Sequence, residues 1–156
     1  LRALPGDTIT AKYEDRTLPQ PYSTSDELDI TAKSSVESSM PALQRVSIED
    51  LYVADSSGKQ IGELTKGNQM QIISHIHNNQ NYPQKFTSIL QIKDEQDRTV
   101  SLSWITGSLA DLQNFELSQS WLPTKSGNYR IEAFVWKSLD DPSALAPIYA
   151  KSFFVK

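Results

Sequence analysis

From Arg45 onward, apolar and polar residues alternate in short runs, broken by turn formers about every 10 to 15 residues, the rhythm of an all-β chain. The first run carries Val46 and Ile48 and then changes phase to Leu51 and Val53, which predicts a bulge or a switch between sheets. In the second, Met70, Ile72, Ser74 and Ile76 share one face, with Gln71, Ile73, His75 and His77 on the other. A third strand is expected at 86–93, closed by the acidic turn Asp94-Glu95-Gln96-Asp97. Val100, Leu102 and Trp104 share a face of the fourth, which Gly107 is expected to end. The fifth spans 115–121, the sixth follows Gly127, and the seventh runs 148–155. The only helix candidate, near 108–112, is too short to stand as a helix.

The sixth run decides the architecture. After a Gly corner comes Tyr129, then Ile131, Ala133 and Val135 at every second position. A Tyr just past such a corner, two residues before a core position, opens strand F of an immunoglobulin-like sandwich, where its phenol bonds back to the corner backbone. Antibody domains hold Cys at the position of Ile131, so this core is expected to hold without a bridge. The predicted fold is an all-β, immunoglobulin-like β-sandwich of about seven strands at 45–156. Ahead of it, residues 37–44 are Ser-rich, aperiodic and carry Pro41, which predicts a linker. Residues 1–36 predict a hairpin: Ile9, Ala11 and Tyr13 alternate in one strand, Leu28, Ile30 and Ala32 in the other. Two strands with one apolar face are marginal alone, so the hairpin is expected to be the end of a preceding β-domain.

The formal net charge of −4 and the lack of any Lys/Arg run argue against nucleic acid as a partner. No stretch approaches the roughly 18 apolar residues of a membrane span. Cysteine is absent, which excludes disulfides and thiolate metal sites. The chain begins at Leu1, and the start is read as that of a processed or partial chain.

Candidate chemistry is sparse. His75 and His77 lie two apart on one strand face, a spacing that can hold zinc or copper but needs further ligands. The acidic set Asp7, Glu14, Asp15, Asp26, Glu27 and Asp29 clusters at the hairpin ends and supplies the candidate calcium ligands, since calcium takes carboxylate and carbonyl oxygens. Asp94, Glu95, Asp97, Asp140 and Asp141 read as turn acids. No Ser stands in Gly-x-Ser-x-Gly, and the six glycines are scattered, so neither a catalytic relay nor a phosphate loop is assembled and no enzyme activity is expected. The aromatics are more informative. With Tyr129, Ile131, Ala133 and Val135 inward, Phe134 and Trp136 face outward as a candidate interface, unless a bulge or covering loop takes them in. Phe153 joins them, because Phe153 and Phe154 cannot both enter one core.

Several stretches together carry a resemblance: Trp104-Ile105-Thr106-Gly107-Ser108-Leu109, Ser120-Trp121-Leu122-Pro123, Gly127-Asn128-Tyr129, Phe134-Val135-Trp136-Lys137-Ser138 and Pro142-Ser143-Ala144-Leu145-Ala146-Pro147. With Pro5-Gly6-Asp7-Thr8-Ile9 and Asp26-Glu27-Leu28-Asp29-Ile30 upstream, the chain resembles the C-terminal immunoglobulin-like region of large secreted surface proteins of ammonia-oxidising archaea, of S-layer or adhesion type. The resemblance implies an extracellular, cell-surface location and a structural or adhesive role, with self-association or other envelope proteins as partners and calcium in assembly. A carbohydrate- or partner-binding accessory module of a secreted protein is the alternative.

Overall fold

The computed structural model describes residues 40–156. The expected hairpin at 1–36 and the acidic set Asp7, Glu14, Asp15, Asp26, Glu27 and Asp29 lie outside the described residues. Of the expected linker, the described part is a short 3-10 turn at Ala42–Gln44. It is tied to the domain: the Asn79 side chain donates to the Gln44 carbonyl at 2.8 Å, and Asn79 N–H donates to Arg45 O at 3.0 Å.

Seven strands follow: β1 Val46–Ala54, β2 Met70–Asn78, β3 Gln84–Lys93, β4 Thr99–Leu109, β5 Asn114–Trp121, β6 Gly127–Trp136 and β7 Tyr149–Val155. They form two antiparallel sheets, ordered β1-β2-β5 and β4-β3-β6-β7. This is an immunoglobulin-like sandwich. The phase change in β1 is a break in register between Ile48 and Asp50, so Glu49 is the extra residue and both halves of the strand keep an apolar face inward.

The core fills the space between the sheets in two clusters. Leu51, Val53, Met70, Ile72, Leu90, Ile92, Trp121, Tyr129 and Ile131 belong to one. Val46, Ile76, Phe86, Leu109, Leu117, Val135 and Leu145 belong to the other. Tyr129 makes the anticipated corner: its phenol donates to the Lys125 carbonyl at 2.9 Å, and its ring meets Trp121 edge-on at 5.0 Å. Ile131, at the Cys position, is fully buried.

One local expectation fails. Gly107 does not end β4, which continues to Leu109. Gly107 stands opposite Phe86, and a Cβ there would lie 3.0 Å from the Phe86 ring, so the glycine lets that ring lie across the strand. The stretch near 108–112 is strand end and turn, with Leu112 at φ 51°.

The edges differ in how they are covered. Beside β1, Ala54 bridges to Gln60, Ile61 N–H donates to Val53 O at 2.9 Å, and Lys151 Nζ reaches Leu51 O at 2.7 Å. Along the end of β7, Leu64 bridges to Val155, and Lys66 N–H donates to Lys156 O at 2.9 Å. No comparable segment pairs with the outer edge of β4 among the described residues.

Candidate binding surface

The outer face of the four-stranded sheet is assembled by register. Ile89 of β3 stands opposite Trp104 of β4 on one side and Phe134 of β6 on the other. One step along, Thr87 lies between Thr106 and Trp136. In the other direction Gln91 lies between Leu102 and Glu132, with Ala150 of β7 beyond, and then Lys93 opposite Arg130 and Ser152. Phe134 and Trp136 are half-buried and point outward from β6, their rings edge-on at 6.4 Å. The apolar face of β4 also points to solvent: Val100, Leu102 and Trp104 are 49%, 54% and 53% exposed. The inward face of β4 is instead Ser101, Ser103 and Ile105, with Ser103 Oγ hydrogen-bonded to Gln119 of β5 and Ile105 packed on the core. Phe153, expected outward, is opposite Tyr129 and packs against the core, so Phe154 is the exposed aromatic of β7. The reason is phase: Tyr129 faces inward, and its register partner must share that face.

Beside the aromatic row runs a polar strip. Glu132, only 7% exposed, receives Arg130 Nε at 3.0 Å and Lys93 Nζ at 3.3 Å. The bond to Glu132 is the largest effect and holds the Lys93 ammonium above the usual lysine range; burial opposes it, and the charge of Asp97 adds to it. Gln91 Nε2 donates to Thr99 Oγ1 at 2.6 Å. Thr87 Oγ1 is buried in the same face and makes no hydrogen bond.

Elsewhere the candidates separate. His75 Nε2 lies 3.0 Å from Glu116 Oε2, and His77 Nδ1 lies 2.7 Å from Asn114 Oδ1, each with its own cross-strand partner on β5. They share the outer face of the other sheet, but no group of three His, Cys, Asp or Glu able to hold a metal occurs among the described residues. The acidic turns are self-contained. Asp94 accepts from Gln96 N–H at 2.9 Å and from the Arg98 guanidinium at 2.7 Å, and the guanidinium holds its carboxyl below the usual range. Asp141 accepts from Lys137 Nζ at 2.7 Å and Ser143 Oγ at 2.5 Å, which lower its pKa to about 2. A cleft of about 560 Å³ between the β3–β4 turn and the corner before β6 is lined by Glu95, Arg98, Leu122 and Asn128. Two of its polar groups are engaged with each other: Glu95 Oε1 accepts from Asn128 N–H at 2.8 Å.

No family model and no curated protein sequence matches the chain. Solved structures do. The C-terminal domain of Wzt superposes with a TM-score of 0.58 at 17% identity, over 74% of this chain and 76% of that one. A β-glucuronidase of glycoside hydrolase family 2 gives 0.56 at 12% identity, over 70% of this chain and 12% of the enzyme. A Paenibacillus cycloisomaltooligosaccharide glucanotransferase complexed with cycloisomaltoheptaose gives 0.52 at 14% identity, over 71% and 14%. At these identities the likeness establishes the β-sandwich fold.

Trp104, Leu102 and Glu132 were not singled out as functional by the sequence. The available signal was the composition of 99–109, eleven residues without a charge or a proline.

Proposed function

We propose that this domain is a noncatalytic, structural module of a cell-surface protein, which joins copies of itself edge to edge through β4. One observation carries the reading: an eleven-residue edge strand, unpaired on its outer side among the described residues, bears no charge and no proline. Open edges template further strand pairing, and soluble proteins blunt them with charged side chains, prolines or covering segments. β1 and β7 carry such cover, whereas β4 presents Val100, Leu102 and Trp104 instead. Antiparallel pairing of β4 with its copy is isologous, meets no like-charge repulsion, and joins two apolar rows across the seam. The surface location rests on the sequence resemblance to secreted archaeal envelope proteins, and calcium enters only through the acidic set outside the described residues.

Sedimentation velocity of the 156-residue chain at micromolar concentration tests this, with calcium and with a chelator. The wild type is expected to sediment as a dimer or larger, and Leu102→Lys as a monomer, because a charge on an open edge opposes strand addition. A wild type that stays monomeric in both conditions, or a Leu102→Lys variant that associates like the wild type, would overturn the reading. Association that survives chelation removes calcium from it.

The accessory-module alternative is favoured by a different observation, the aromatic row beside the charged strip.

A further inference from the structure

We propose that the outer face of the β4-β3-β6-β7 sheet is a saccharide-binding surface that takes a neutral hexopyranose oligosaccharide. Sugar rings would lie on Trp104 and against Phe134, with hydroxyls on the strip of Gln91, Glu132, Lys93 and Arg130. This stands independently of self-association, since Phe134, Glu132 and Arg130 lie on β6, two strands in from the open edge.

Three features select this occupant. The first is spacing. Trp104 and Phe134 flank Ile89 in register, so they are separated by two strand intervals, roughly 9.5 Å, about the length of two linked sugar rings. Pyranose rings present a face of C–H groups that packs on aromatic rings and an equatorial rim of hydroxyls. The sheet offers the matching pair side by side, with an apolar row of Trp104, Ile89 and Phe134 next to a polar row of Gln91 and Glu132.

The second is charge. Glu132 is engaged by Lys93 and Arg130, and Lys93 also by Asp97 at 3.4 Å, so two cations are matched by two carboxylates and neither sign is left to demand a charged ligand. The Glu132 oxygens and the two cationic groups offer acceptors and donors next to one another. A hydroxyl, which both donates and accepts, satisfies both kinds at once. The carboxylate is held in place before any ligand arrives, which lowers the ordering cost of binding.

The third is what the strip excludes. The core of a protein–protein interface is depleted in charge, and a partner laid flat on this face would bury Glu132, Lys93 and Arg130 at its centre. A sugar chain leaves much of that rim in contact with water.

The test is titration of the full chain with cellohexaose, maltohexaose and mannohexaose, followed by tryptophan fluorescence and calorimetry. Saturable binding to at least one is expected. Trp104→Ala and Phe134→Ala should each weaken it about tenfold or more, the loss of a central contact. Phe115→Ala, an exposed aromatic on the other sheet, should bind as the wild type does. Thermal unfolding of each variant separates lost contact from lost fold, and the exposed Trp104 is the position least coupled to folding. Phe134→Ala should lose sugar binding while still associating through the β4 edge, which keeps this outcome distinct from the edge-pairing one. Failure of all three sugars to bind, or equal binding by both aromatic variants, overturns the proposal. Loss of self-association in Phe134→Ala without any sugar binding would assign the face to a second copy instead.

Discussion

At the scale of single residues, the end loops are organised by side chains that bond to nearby groups. Tyr129 closes the corner before β6 through the Lys125 carbonyl, and Gly127 enters that strand at φ 143°, in the region that favours glycine. A Cβ at Gly127 would also come within 3.2 Å of Glu95 Oε1, the oxygen that accepts from Asn128. Asp141 does a similar job in the loop after β6, gathering Lys137 and Ser143. Its pKa falls from 3.8 to about 2, so the fold favours the ionised carboxylate. The stabilisation is fully present above the ordinary pKa and is lost as pH falls through about 2. A carboxyl-carbon NMR titration should therefore place the Asp141 midpoint near 2, and Asp141→Asn should remove the acid-side dependence of this loop. A midpoint at the ordinary carboxylate value would show that the Lys137 and Ser143 contacts do not persist in solution.

Among the elements, β2 and β3 are joined by a buried amide network. Asn78 is fully buried; its Nδ2 donates to Tyr82 O and Ala110 O, both at 2.8 Å, and its Oδ1 accepts from Gln80 N–H at 3.2 Å. Gln80 Nε2 donates in turn to Gln84 Oε1 at 2.8 Å. Replacing Asn78 with Ala takes the partner from Tyr82 O and from the N–H of buried Gln80, while Ala110 O keeps its bond from Gln113 N–H. The expected loss is about 2–4 kcal/mol in urea unfolding, from several unmade bonds and a small void. Less than about 1 kcal/mol would mean that water substitutes freely. The fourth strand shows how far an element can be read by alternation alone. The pattern over 100–104 gave two faces correctly, but alternation does not say which of them is interior. Ser101 and Ser103 are small enough to lie inward at the sandwich rim, where Ser103 finds Gln119, while the larger apolar side chains face water.

In the whole molecule, two apolar clusters joined through the same strands hold the sheets together without a disulfide. Ile131 takes the place a bridge would occupy, and its truncation should be costly. Ile131→Ala is expected to lose about 2–5 kcal/mol by transfer and cavity terms, read by denaturant unfolding with an unchanged m-value. A loss below about 1 kcal/mol would show that the core collapses around the site. Binding roles divide by place: the open β4 edge suits strand pairing, and the aromatic face with its compensated strip suits a neutral sugar.

What the amino-acid sequence determined was local and periodic. Alternation placed seven strands, the β1 phase change placed the bulge, and the Gly–Tyr step placed the corner. Outward Phe134 and Trp136 followed from the inward phase of Tyr129, Ile131, Ala133 and Val135. Tertiary structure decided which face of β4 is inside, that Phe153 rather than Phe154 turns to the core, and which edges are covered. The physical reason is that a period of two is unchanged when a strand is turned over. Only pairing with a neighbour of fixed phase, β3 for β4 and β6 for β7, sets which side is buried. The pairing of β3 with β6, which are far apart in the chain, then brings Trp104, Phe134 and Glu132 onto one surface.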